Sequence, residues 1–251
     1  MSKEKAKQIL TAVERILASS QSIRSTVEDA RARAKEKHLL QKIDTVRELT
    51  AHEVARHYSN RTAIAGGVVG LPGLILGVGS IAVSIGGGLA ELTYLLKCEV
   101  EMTLALSHLY GFDIDDPRER QLAFLMASVG TYDATGRNFF VDVMKVEGTA
   151  IWNYVPRKVG KFVVEVVAVM VAMYWWRGLI KALPVVGVGI GIGMNKVLTQ
   201  RVGARVTRDL RTRRDLLGRS AEKHAAAPKK PKAKAGRRPA APRSRSVDSL
   251  S

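Results

Sequence analysis

The chain has 251 residues, 46% of them hydrophobic and 25% charged, so apolar and charged residues must be segregated along a length that suits one large or two small domains. Its net charge of +17 sits at one end: residues 196–251 hold 17 Lys/Arg against 4 Asp/Glu, a net of +13, while residues 1–195 hold 23 against 19. A single cysteine, Cys98, excludes an internal disulfide framework and every multi-cysteine metal site.

The charged start, MSKEKAKQIL, runs into a helical pattern, and no secretory signal peptide is expected. Residues 3–57 read as a pair of amphipathic helices. Ile9, Leu10, Val13, Ile16 and Leu17 recur at spacings of three and four, and Leu39, Leu40, Ile43 and Val46 repeat the pattern. The run Ser19-Ser20-Gln21-Ser22 separates the two. From Thr62 to Ala90 there are 29 residues without a charge, 16 of them Ala, Val, Ile or Leu and nine of them Gly. Such a length suits either a membrane-inserted segment or a buried helical hairpin. The G-x-x-x-G spacings Gly66/Gly70 and Gly73/Gly77 point to close helix approach.

Residues 91–110 continue as helix, with Leu95, Cys98, Met102, Leu106 and Leu109 on an apolar stripe and Lys97, Glu101 and His108 opposite. Glu91 ends the uncharged run; if that run is buried, its carboxylate needs a partner or a polar surface, and otherwise it marks where the helix emerges. A helix ends near Gly111. The next starts at Pro117, with Asp116 as N-cap and Glu119 placed for a capping box. Residues 157–181 form a further helix in which Lys161 and Glu165 are spaced to pair. Within it, Tyr174, Trp175, Trp176 and Arg177 read as a membrane-interface anchor or as aromatics closing a core.

A second Gly-rich stretch, 183–195, contains Pro184 and alternating Gly187, Gly189 and Gly191, where extended chain competes with helix. Residues 196–218 form a basic helix with Val197, Val202, Val206 and Leu210 on one side. From about residue 219 the chain is rich in Lys, Arg, Pro and Ala without a period, a composition expected to be disordered. Its Lys229, Lys230, Lys232, Lys234, Arg237 and Arg238 are polyanion-binding candidates.

No catalytic constellation emerges. His52 and His57 are five apart, about 140° around a helix, whereas a zinc-peptidase motif places two histidines four apart on one face. The Gly-rich stretches lack the phosphate-loop lysine. Asp113, Asp115 and Asp116 open like a calcium loop, but Phe124 stands where the closing glutamate belongs. No cofactor and no metal are expected.

The order Gly70-Leu71-Pro72-Gly73, an apolar helix, Glu91, Leu109-Tyr110-Gly111-Phe112-Asp113 and an Asp-Pro-x-Glu-Arg helix start resembles the bacterial EcsC family. Leu183-Pro184-Val185-Val186-Gly187, Asn195 and Val202-Gly203-Ala204 are similar to that family's closing segment. The resemblance spans residues 45–215. It departs from the family pattern at Glu91, where aspartate is usual, and in the basic tail. It implies a helical fold without established biochemical activity, a gene beside an ABC transporter, peripheral membrane association, and no catalytic residue.

The expected architecture is all-α: a multi-helix bundle with two Gly-rich apolar segments and a disordered basic tail. Its expected parts are N-terminal helices over 1–44, an EcsC-like domain over 45–218 and the tail over 219–251. The expected function is that of a non-enzymatic, membrane-associated protein at the inner face of the cell membrane, an accessory to a membrane or transport system. Its partners would be anionic lipid and a membrane protein, with weak nonspecific nucleic-acid binding through the tail. The alternative is a nucleic-acid-binding adaptor acting through that tail.

Overall fold

Every described element of the computed structural model is helical, and there is no strand among the described residues, which are 2–37, 43–67, 87–134, 161, 163–172 and 187–226. We number the helices α1 (Ser2–Ile16), α2 (Ser20–Lys37), α3 (Ile43–Gly67), α4 (Gly87–Leu109), α5 (Pro117–Ala134) and α6 (Gly187–Ala226). Residues 163–172 form a further helical segment. The chain through Asp215 is one compact unit, and the residues from Leu216 belong to a second. The all-α bundle read from the apolar spacing is therefore what the chain forms.

The N-terminal pattern resolves into α1, α2 and the start of α3. Ile9 and Val13 of α1 and Ile23 and Val27 of α2 are buried at the three- and four-residue spacing that puts them on one face. Ser19, in the connection after the first helix, caps the second: its hydroxyl accepts from Ser22 N at 3.2 Å and its carbonyl from Ile23 N at 3.0 Å.

Helix α4 is the centre of the bundle, packed by α1, α2, α3 and α5. Leu95, Cys98, Met102 and Leu106 are buried as the stripe requires. Of the residues read opposite it, Lys97 is 9% exposed and Glu101 completely enclosed while His108 is half-buried, and Glu99, on another flank, is completely enclosed as well. The physical reason is that charged residues on a central helix find partners on its neighbours, so their polarity does not mark a wet surface.

The exit from α4 is a Schellman turn. Gly111 takes φ +91°, a left-handed conformation that L side chains avoid, while Gly111 N donates to His108 O and Phe112 N to Ser107 O, both at 3.0 Å. Asp116 then caps α5, accepting from Arg118 N at 2.8 Å. The reciprocal half of the expected capping box is not made. Asp116 N donates to Asp113 O at 3.2 Å, and the Glu119 carboxylate instead receives both terminal nitrogens of Arg213 on α6. A buried bidentate guanidinium outcompetes a return to the backbone. Arg213 also lies 3.9 Å over the Phe112 ring.

Three further expectations change. The basic helix expected over 196–218 runs from Gly187 to Ala226, so the alternating glycines left open between helix and extended chain are helical and the end lies beyond the expected boundary at 219. The buried stripe of α6 is Asn195, Leu198, Thr199, Val202, Val206 and Leu210; Val197, off this phase by about 140°, is 47% exposed. Glu165 pairs across the bundle with Lys3 at 3.4 Å rather than along its own helix with Lys161.

The close approach expected at Gly66/Gly70 and Gly73/Gly77 falls on residues of which Gly70, Gly73 and Gly77 lie outside the described ones; elsewhere helices meet closely at Gly203 and Gly130. A Cβ on Gly203 would lie 2.9 Å from the Ala55 Cβ of α3 and 3.2 Å from the Met102 sulfur of α4; one on Gly130 would lie 2.9 Å from Val202. Gly193, also inside α6, has nothing within 4 Å of the same position. The same substitution is therefore expected to act with opposite signs. Gly203→Ala should destabilise the protein by about 1–3 kcal/mol through overpacking, whereas Gly193→Ala should stabilise it by about 0.5–1 kcal/mol through helix propensity. Denaturant melts of the two variants check this; equal shifts would contradict the close crossing.

Candidate functional site

The residues singled out in the sequence divide by position. Gly70, Pro72 and Gly73, the anchor Tyr174, Trp175, Trp176 and Arg177, Pro184, and the tail residues Lys229, Lys230, Lys232, Lys234, Arg237 and Arg238 lie outside the described residues. Gly187 opens α6. Tyr110, Gly111 and Asp113 build the α4–α5 turn. Tyr110 is buried, and Asp113 Oδ1 accepts from Asp115 N at 3.0 Å in an Asx turn. Asp115 in turn pairs with Arg24 of α2 at 2.5 Å, so the acidic run is spent on turn, inter-helix contact and cap. Among the described residues no three His, Cys, Asp or Glu side chains converge to hold a metal. Cys98 is an inert core thiol, pushed by burial up to about 12.

Glu91 and Asn195 are brought together. Both are buried, and Asn195 Nδ2 donates to Glu91 Oε1 at 3.1 Å across 104 positions of sequence. The carboxylate at the end of the uncharged run thus has a partner inside the bundle, supplied by the second Gly-rich stretch. This contact opens a buried polar seam between α3, α4, α5 and α6.

Its next member, Glu99, is one that sequence reasoning missed. Its carboxylate is enclosed by hydroxyls: Thr131 of α5 at Oε2, and Thr199 of α6 at 3.4 Å from Oε1. Thr199 is 2.9 Å from Thr62 of α3, and Thr62 donates to Ser59 O at 3.0 Å. Each threonine has one hydrogen to give. Thr62 gives its hydrogen to Ser59 O, and Thr199 is placed to give its own to Glu99 Oε1. Thr131 has the Ala127 carbonyl at 2.8 Å as an acceptor. The Thr131 hydroxyl also bonds Glu99 Oε2, and a carboxyl enclosed among neutral hydroxyls is favoured in its protonated form. Burial raises the Glu99 carboxyl to about 8, and the Thr131 and Thr199 hydroxyls pull it back only in part.

Glu101, two residues on and about 200° around the helix, meets the opposite solution. Lys97 Nζ approaches Oε1 at 2.9 Å, Arg61 of α3 approaches Oε2 at 3.5 Å, and Ala18 N, in the α1–α2 connection, donates to Oε1 at 2.7 Å. One acid is held by cations and a backbone donor, the other by neutral hydroxyls. The signal for the second was present in the sequence as isolated threonines at 62, 131 and 199 on otherwise apolar faces. Chemically, the seam can store a proton at Glu99 and lock helix register. It presents no nucleophile beside a base.

The raised value of Glu99 carries a pH dependence. A carboxyl whose folded value exceeds its ordinary value of 4.5 favours the protonated fold. Its contribution is full below that ordinary value, declines as pH rises above it, and is gone once pH has passed about 8. Wild-type stability from urea melts should fall over this window, and Glu99→Gln, which keeps a neutral polar group, should flatten that part of the profile. An unchanged profile in Glu99→Gln would contradict the assignment.

No curated protein and no solved structure matches this sequence. The EcsC protein family model matches residues 1–214, taking in α1 and α2 as well as the motifs above. A match over that share of the chain, together with a helical bundle in which the family-like residues Glu91 and Asn195 meet, establishes that the chain belongs to the EcsC family.

Proposed function

We propose that this protein is a non-enzymatic helical protein that attaches to an anionic bilayer surface, at the inner face of the cell membrane, as an accessory to a membrane or transport system. The observation that supports the reading is the charge segregation on α6. Its inner stripe is Val202, Val206 and Leu210, all fully buried, while Arg201, Arg208 and Arg211 stand on the exposed side. Residues 196–219 carry eight Lys/Arg against two Asp/Glu. Each basic residue held near an anionic leaflet contributes about 1 kcal/mol.

Exposed apolar side chains add to this. Ile64 near the end of α3 is 66% exposed and Val197 near the start of α6 is 47% exposed. The Thr62–Thr199 contact joins those two helices close to both side chains, so they belong to the same end of the bundle. Among the described residues no helix is long and apolar enough to cross a membrane, so the proposal is of attachment at a surface. The Gly-rich segments and the basic tail are proposed to reinforce it. The positive charge of α6 and the tail also suits nucleic-acid phosphates, which is the competing reading.

Flotation of the full chain with liposomes separates the two. Binding to anionic but not neutral vesicles is expected, weakening as salt rises. A chain ending at residue 226 should lose affinity but keep measurable vesicle binding at low salt through α6. Loss of all vesicle association by the full chain at low salt, with DNA binding intact, would overturn the membrane reading in favour of nucleic acid.

A further inference from the structure

Between α3 and α6 lies a groove of about 410 Å³ that the buried seam does not use. Its volume comes from small residues: Ala51 and Ala55 of α3 and Gly203 of α6 are its buried lining, and Ala204 lies at its exposed edge. Gly203 is where the two helices touch, and beyond that contact the lack of larger side chains leaves the space open. The rim is cationic. Arg56, Arg208 and Arg211 line it with His52, against one carboxylate, Glu48.

The cations are only partly spent. Glu48 is engaged by Arg211 through one terminal nitrogen. Arg56 gives Nε and Nη2 to a single oxygen of Glu53, at 3.1 and 2.7 Å, which leaves Nη1. Arg208 is exposed and makes no ion pair among the described residues. A guanidinium carries five donors in a planar fork, the geometry that suits phosphate oxygens. The side chains of Gln200 and Thr207 at the rim offer uncharged donors. An apolar floor under a fork of unused guanidinium donors fits a phosphate ester whose glycerol or acyl part lies on the alanines.

We propose that this groove binds a phosphate ester, and that the ester is the headgroup of an anionic phospholipid. The proposal deepens the surface-attachment reading and rests on it for the source of the phosphate; the groove's affinity for phosphate oxygens does not. Arg208 supplies the free charge, while Glu48 and Glu53 hold Arg211 and Arg56 in place.

The test uses the full chain and three variants. Arg208→Ala removes the free fork, Ala204→Phe crowds the groove from its exposed edge, and Arg201→Ala removes an equal charge from the exposed face of α6 at a position that does not line the groove. Binding is measured to phosphatidylglycerol vesicles, to phosphatidylcholine vesicles, and to soluble glycerol 1-phosphate and inorganic phosphate by calorimetry. Unchanged thermal melts serve as the fold control. Arg208→Ala and Ala204→Phe are each expected to weaken binding to phosphatidylglycerol vesicles well over tenfold, and Arg201→Ala by no more than about fivefold, the share of one diffuse surface charge.

Equal losses in Arg208→Ala and Arg201→Ala would overturn the groove and leave only diffuse charge attraction, with surface attachment intact. Binding of soluble phosphate that Arg208→Ala abolishes, without any vesicle binding, would support the groove as a phosphate site and overturn both its lipid source and the membrane reading. No binding to any probe would overturn both. Should Ala204→Phe fail to fold, the comparison of Arg208→Ala with Arg201→Ala decides alone.

Discussion

Burial of the polar side of α4 is the constraint on which the rest of the fold depends. A helix covered by four others must satisfy each of its polar groups within the protein, because a buried unpaired charge is far costlier than a buried apolar group. Glu99 and Glu101 are both fully enclosed, on opposite flanks of this helix. Glu101 remains with cations: Lys97, one turn before it, and Arg61 from α3, with Ala18 N completing its shell. Removing one partner from such a pair typically costs about 3–5 kcal/mol, because the other charge is stranded. The α1–α2 connection, α3 and α4 are therefore tied by one carboxylate.

Glu99 is satisfied differently, and this fixes where α5 and α6 lie. Thr131 and Thr199 reach it from those two helices, and Thr62 anchors Thr199 from α3. Hydroxyls reach only about 3 Å, so the helices carrying them must approach closely. Gly203 and Gly130 allow that approach: α6 meets Ala55 and Met102 at the first, and Val202 of α6 fills the space at the second. The polar seam and the glycine contacts are two aspects of a single packing solution, one supplying specificity and the other access.

Much of this was legible in the residues. Three- and four-residue apolar spacing located the buried faces of α1 and most of α6, and the Asp116-Pro117 pair located the start of α5. The failures have one cause: periodicity reports which side of a helix is wet only when one side is. On α4 Lys97 and Glu101 read only as lying opposite the apolar stripe, because the partners that bury Glu101, Arg61 and Ala18 N, come from distant sequence. Asn195 and Glu91 were each recognisable as unusual, yet nothing in spacing joins residues 104 apart. The alternating glycines of 187–193 suggested extended chain, and they are helical because they continue the phase of a 40-residue helix. The same logic separates inner from outer α6: its interior serves the seam, and its exterior collects the arginines on which the surface-binding proposal stands.

The central claim is that the seam closes around a protonated Glu99, and side-chain carboxyl NMR reads that state directly. With ¹³C-labelled glutamate and Glu99→Gln to assign the resonance, the Glu99 carboxyl carbon should show the chemical shift of a neutral acid at pH 6.5 and titrate with a midpoint near 8. A resonance already ionised at pH 6.5, titrating near the ordinary value of 4.5, would contradict the account.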